Sequence, residues 1–141
     1  MKRSKRRIVL TLIGLMVLIT GVSFTTAAKT ENVRWYGYED GLKKGKEEGK
    51  SVYIHFYSDI CQYCKEMEST TFTNQKVVKQ LNSKFIPIRV NSDKEYKIAY
   101  KYNIRPVPDN WIFNKKGERI YRQLGYIDAS TFSSVLKKMG K

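Results

Sequence analysis

The most constraining stretch of the chain is Ser51-Val-Tyr-Ile-His-Phe-Tyr-Ser-Asp-Ile-Cys61-Gln-Tyr-Cys64. Val52, Tyr53, Ile54, Phe56 and Tyr57 are β-branched or aromatic, a composition that predicts a buried strand. Ser58 and Asp59 interrupt the pattern and offer oxygens to the free N–H groups of a starting helix. Cys61 is then expected at or beside that helix N-terminus, with Cys64 one turn further on. Unpaired backbone N–H groups and the positive end of the helix dipole favour a thiolate there. A thiolate is the species that attacks disulfides.

The 141-residue chain has two cysteines, both in this motif, so there is no wider disulfide framework. A structural zinc site wants four Cys or His ligands, and the chain offers two cysteines and a single histidine, His55. No metal is therefore expected. Covalent haem attachment needs histidine directly after the second cysteine, where Lys65 stands. Two meanings of the pair remain, a redox-active dithiol or an inert local disulfide.

Lys2, Arg3, Lys5, Arg6 and Arg7 form a basic segment, followed by an uncharged apolar run from Ile8. This pattern predicts export to the periplasm or another extracytoplasmic space, with the positive flank left in the cytoplasm. The strongly apolar core, Ile8 to Val22, has signal-peptide length, and Thr25-Thr26-Ala27-Ala28 offers small residues to a peptidase. The charge-free stretch continues to Ala28, close to the ~20 residues that span a bilayer. Residues 1–28 thus read as a signal peptide, or as a signal anchor holding the chain in the membrane through residues 8–28. Residues 29–34 read as a polar linker and 35–141 as one domain.

The formal charge of +14 falls to +9 without the five basic residues of the leader, which leaves 22 Lys and Arg against 13 Asp and Glu. A basic exported surface can lean on anionic lipid or on an acidic partner. Nucleic acid is not an expected partner. Most of the ten tyrosines fall in strand-like or helical core patterns rather than on a stacking basic face, and export removes the usual ligand.

Trp35 to Lys50 reads as an amphipathic helix with Trp35, Tyr38 and Leu42 at helical spacing. Gly37, Gly41 and Gly45 weaken it by about 1 kcal/mol each against alanine, and Gly49 stops it. The helix after the cysteines weakens at Ser69-Thr70-Thr71; a second, capped by Asn74, carries Val77, Val78 and Leu81. Lys84 to Asn91 is the next strand, and Pro87 within it suits an edge position. Strand, helix, strand predicts a parallel pair. Ser92 and Asp93 are expected to cap a helix carrying Tyr96, Ile98, Ala99 and Tyr102. Trp111 to Phe113, a turn at Asn114–Gly117 and Arg119 to Tyr126 make a hairpin, and Asp128 caps a last helix. The layout is α/β: a four- to five-stranded mixed sheet with helices on both faces.

This order of elements, with Tyr102-Asn-Ile-Arg-Pro-Val107-Pro108 ahead of the hairpin, resembles the thioredoxin fold over roughly Trp35 to Met139. Cys64-Lys-Glu-Met-Glu-Ser-Thr-Thr-Phe72 and Asn82-Ser-Lys-Phe85-Ile-Pro-Ile-Arg-Val-Asn91 narrow the likeness. They are similar to exported thioredoxin-like proteins related to the C-terminal domain of the membrane thiol:disulfide interchange reductase, and to thioredoxins of sulfur-oxidation gene clusters.

The resemblance implies a thiol-disulfide oxidoreductase without a bound cofactor. Cys61 would be the exposed nucleophile and Cys64 the resolving cysteine. Pro108 would be the cis-proline facing them, with Val107 offering backbone hydrogen bonds to an extended substrate segment. Ile60, Gln62 and Tyr63 would flank the nucleophile as substrate contacts. Client proteins bearing disulfides or thiols and a membrane redox partner are the expected partners. A reductase is favoured over an oxidase or isomerase, and the alternative is a peptide-binding module whose disulfide is structural.

Three departures stand out. Ile60 replaces a frequent tryptophan. Asp109 and Asn110 follow Pro108 where threonine and an apolar residue are usual, so that strand is expected to start frayed or with unusual hydrogen bonds. His55 stands where a buried acid often takes the proton of the resolving cysteine, and is either a proton acceptor or a core histidine.

Overall fold

The computed structural model describes residues 30–140. The leader assigned to residues 1–28 lies outside them. Among the described residues, no helix is long and apolar enough to cross a membrane.

Strand β1 (Ser51–Tyr57) is buried along nearly its whole length, as its run of bulky apolar residues requires. It lies inside a four-stranded mixed sheet of order β2-β1-β3-β4, with β2 Phe85–Asn91, β3 Asp109–Phe113 and β4 Arg119–Leu124. β1 and β2 are parallel, while β3 runs antiparallel to both β1 and β4. The helices are α1 (Tyr38–Glu48), α2 (Gln62–Glu66), α3 (Gln75–Lys84), α4 (Tyr96–Lys101) and α5 (Ala129–Met139). A π-helical turn, Met67–Thr71, continues α2.

Alternation along β1 divides the core in two. Tyr53 faces a layer with Met67, Phe72, Val77, Leu81, Phe132 and Leu136. Val52, Ile54 and Phe56 face Tyr38, Ile88, Ala99, Ile104 and Trp111 on the other side. Pro87 lies on the edge strand. Its neighbour Arg89 sends its N–H outward to the Tyr36 carbonyl, so the donor that Pro87 lacks is one the inner ladder does not use.

Some local expectations change. Helix α1 begins at Tyr38, and Trp35 precedes it and packs against the opposite core layer. Gly41 and Gly45 are buried at the helix–sheet contact: a Cβ on Gly41 would collide with Ile88, and one on Gly45 would lie 2.6 Å from Val52 Cγ2. They permit close approach rather than simply weakening the helix. The segment read as a linker docks on α3, where Asn82 accepts from Arg34 N–H (2.9 Å) and donates to the Asn32 carbonyl (2.9 Å), with Val33 buried.

Two caps also differ. Ser58 and Asp59 turn away from α2: Ser58 Oγ donates to Asp93 (2.6 Å), and Asp59 accepts from Asn91 and pairs with Lys94. Asn91, rather than Ser92 or Asp93, accepts from the N–H groups of residues 93 and 94 ahead of α4. Asn74 and Asp128 cap α3 and α5 as expected.

Candidate active site

The site lies where β1 gives way to α2. Cys61 is itself the residue that caps the helix, its Sγ accepting from Cys64 N–H at 3.2 Å. Cys61 and Cys64 are joined as a disulfide. Cys61 is half-buried, whereas Cys64 is 1% exposed. One sulfur therefore faces solvent and the other the core. Held in this geometry, the same N–H would favour the anion of a reduced Cys61.

Around Cys61, Ile60 is 89% and Tyr63 61% exposed, and Gln62 is exposed. Opposite stands the segment before β3. The Val107 carbonyl oxygen lies 3.5 Å from Cys61 Sγ, and the Val107–Pro108 peptide bond is cis. The structure thus brings Cys61, Val107 and Pro108 together, with Ile60, Gln62 and Tyr63 on the surface beside them.

His55 is fully buried on β1, six residues before Cys61. Its Nδ1 lies 3.0 Å from Asn110 Oδ1, and Nε2 has no hydrogen-bond partner among the described residues. Desolvation lowers its pKa from 6.5 to about 4, partly offset by the Asn110 contact. The imidazole is neutral at pH 7. Its ring stacks on Tyr57 and meets Phe72 edge-on.

The β3 start is not frayed. Asp109 and Asn110 are fully buried and pair with both neighbouring strands. Arg122 grips the Asp109 carboxylate through Nε (3.2 Å) and Nη2 (2.7 Å). Two supporting groups escaped the sequence reading. Arg122 is one, and its guanidinium also lies 4.8 Å over the Trp111 ring. The other is Arg89, which pairs with Glu68 and lies 4.3 Å over Tyr57, beside a small pocket that reaches Cys64. Only the alternation of strands places either near the site, and an arginine on a strand carries no motif.

The thioredoxin-like domain family matches residues 38–140, and the chain belongs to that family. With its linked CxxC pair, it falls among thiol-disulfide oxidoreductases. The thiol:disulfide interchange protein DsbD of Colwellia psychrerythraea is 32% identical over 109 residues, covering 73% of this chain and 18% of that protein. DsbD of Photorhabdus laumondii is 31% identical over 65% of this chain and 17% of its own length. The chain thus spans less than a fifth of these curated relatives. A thioredoxin from Thermus thermophilus superposes with TM-score 0.69 at 25% identity, over 77% of this chain and 87% of that one. The oxidised C-terminal domain of Neisseria meningitidis DsbD superposes with TM-score 0.60 at 24% identity, over 74% and 98%.

Proposed function

We propose that the protein is an exported protein-disulfide reductase in which Cys61 is the nucleophile and Cys64 the resolving cysteine. The asymmetry of the pair carries this reading: the Cys61 sulfur is reachable and faces the Val107 carbonyl, while Cys64 is sealed behind it. The basic and then apolar start of the chain supports export.

In the reduced protein, Cys61 thiolate attacks one sulfur of a client disulfide. A mixed disulfide forms, and the other client sulfur leaves as thiolate and takes a proton. Cys64 then loses its proton and attacks Cys61 Sγ, which releases the second client thiolate. The client gains two electrons, and the protein ends as the Cys61–Cys64 disulfide. A dithiol donor, in this reading a membrane redox partner, returns the two electrons.

Val107 offers its backbone to an extended client segment, and Ile60, Gln62 and Tyr63 meet that segment on the open side. His55 offers Nε2 as an acceptor for the Cys64 proton. Its proton affinity lies about four pH units below that of a free thiol, so it holds such a proton only in passing. The departing client thiolate is the final sink.

The test is trapping in intact cells. Cys64→Ser is expected to accumulate mixed disulfides with client proteins, and Cys61→Ser to accumulate none. Equal trapping by both would overturn the roles. Ordinary Cys61 reactivity toward iodoacetamide, with no turnover of insulin disulfides, would instead fit a peptide-binding module with a structural bond.

A further inference from the structure

Helix α4 and the segment after it carry a cleft that the redox step does not use. It encloses about 560 Å³, with Ala99 and Ile104 as a buried floor. Tyr96 and Tyr100, one helical turn apart on its wall, are 64% and 88% exposed. So much exposed aromatic surface on so short a helix is unusual unless something covers it. Lys97 and Arg105 stand on the rim, and neither is within ion-pair distance of a carboxylate among the described residues. The acids around them are already engaged: Asp59 with Lys94 and Asn91, Asp93 with Ser58, and Glu95 with the Asn91 N–H.

Both walls of the cleft lead to the disulfide. Arg105 is two residues before Val107, whose carbonyl faces Cys61 Sγ. Ser92, on the other wall, sits between Asn91 and Asp93, which hold Asp59 and Ser58 just ahead of the cysteines. An extended client strand rises about 3.3 Å per residue. A strand that pairs with Val107 and runs on toward Arg105 therefore reaches the cleft lining within a few residues of its reacting cysteine.

We propose that this cleft is a client subsite for an aromatic or large apolar side chain flanked by a carboxylate, close in sequence to the client's reactive cysteine. The inference rests on the reductase reading and adds a substrate preference to it. A concave cleft with a buried apolar floor suits an inserted side chain, whereas a bilayer meets a convex face. The unpaired cations supply the charge complementarity.

The test uses the full chain in its reduced state and three disulfide-linked peptides. They differ only beside the cysteine: Phe with two glutamates, Phe with two lysines, and Gly with two glutamates. The rate of thiol release is the readout. The wild-type chain is expected to favour the acidic Phe peptide over the basic one by about tenfold, the lower end of electrostatic steering. In the Lys97→Glu/Arg105→Glu double variant that ratio is expected to fall below one. Tyr100→Ala should remove the advantage of Phe over Gly. Lys115→Glu/Lys116→Glu, the same charge change on the β3–β4 turn, should keep the wild-type ratio.

A wild-type ratio near one, or equal losses from the cleft and turn variants, would overturn the subsite while leaving the reductase reading standing. So would loss of anionic-vesicle binding in the cleft variant with its peptide ratio unchanged, which would assign the patch to a membrane. If all three peptides were inert, the reductase reading would fall and the subsite with it.

Discussion

His55 Nδ1 lies 3.0 Å from Asn110 Oδ1, joining the strand that leads into the cysteines to the strand that leaves Pro108. Tyr53 Oη donates to the same oxygen at 2.7 Å. The Asn110 amide nitrogen donates to the carbonyls of Gln123 and Gly125, both at 3.2 Å. Those two carbonyls can only accept, so they fix which end of the amide is oxygen. Nδ1 of His55 must then carry the proton, and Nε2 bears the lone pair. One buried side chain ties β1, β3 and β4 together, and a proton added to the imidazole would go to Nε2, which has no hydrogen-bond partner among the described residues.

A pH dependence follows from the burial of this ring. The folded pKa of His55 is about 4 against an ordinary 6.5. Between these values the unfolded chain takes up a proton that the folded chain refuses. Stability from this group is therefore complete above pH 6.5 and is lost as pH falls toward 4, by about 3 kcal/mol in all. His55 is the chain's single histidine, so its ring proton resonances need no assignment. They are expected to stay unshifted from pH 8 to 5 and to move with a midpoint near 4. A midpoint near 6.5 in the folded protein would contradict the buried, neutral ring.

Arg122 and Asp109 make a second anchor for the segment after Pro108. Asp109 is fully buried, and Arg122 on the edge strand is partly exposed. Arg122→Ala strands a carboxylate inside the sheet and is expected to cost about 2–3 kcal/mol. Arg122→Lys should recover only part of this, because an ammonium cannot reproduce the forked contact. Asp109→Thr/Arg122→Ala, which removes both charges, should be more stable than Arg122→Ala alone. Urea denaturation of the three variants decides it; a double variant less stable than the single one would contradict the argument.

Much of this architecture could be read from residues. The apolar run of β1, the cysteine spacing, the order of elements and the Val107-Pro108 dipeptide led to the sheet and to the face on which the disulfide sits. Caps were legible where an Asn or Asp stood just ahead of a helical run, as at Asn74 and Asp128. They misled at Ser58 and Asp59, whose side chains are taken by Asp93, Asn91 and Lys94 from the next loop. Propensity is local, and those partners lie more than thirty residues away. Asn110 was visible as an oddity in a strand, but its four hydrogen bonds depend on the register of β1 against β3 and of β3 against β4. Trp35 fell at helical spacing from Tyr38 and yet packs on the other layer, because the chain crosses the sheet edge at Tyr36 before the helix starts.

The glycines of α1 give the sharpest contrast between local preference and packing. By helix propensity alone, Gly41→Ala should stabilise the protein by about 1 kcal/mol. Its Cβ would instead meet Ile88 in the β2 edge strand, and 3.2 Å away lies Tyr36 Cβ. Ile88 is fully buried and β-branched, so it has little freedom to turn aside. The expected net effect is a loss of about 1–3 kcal/mol, the usual range for overpacking. Gly41→Ala/Ile88→Val opens part of that space and should recover some stability relative to Gly41→Ala. Thermal or urea unfolding measures both. A Gly41→Ala variant more stable than the wild type would mean that α1 sits away from β2 and that its glycines are not contact residues.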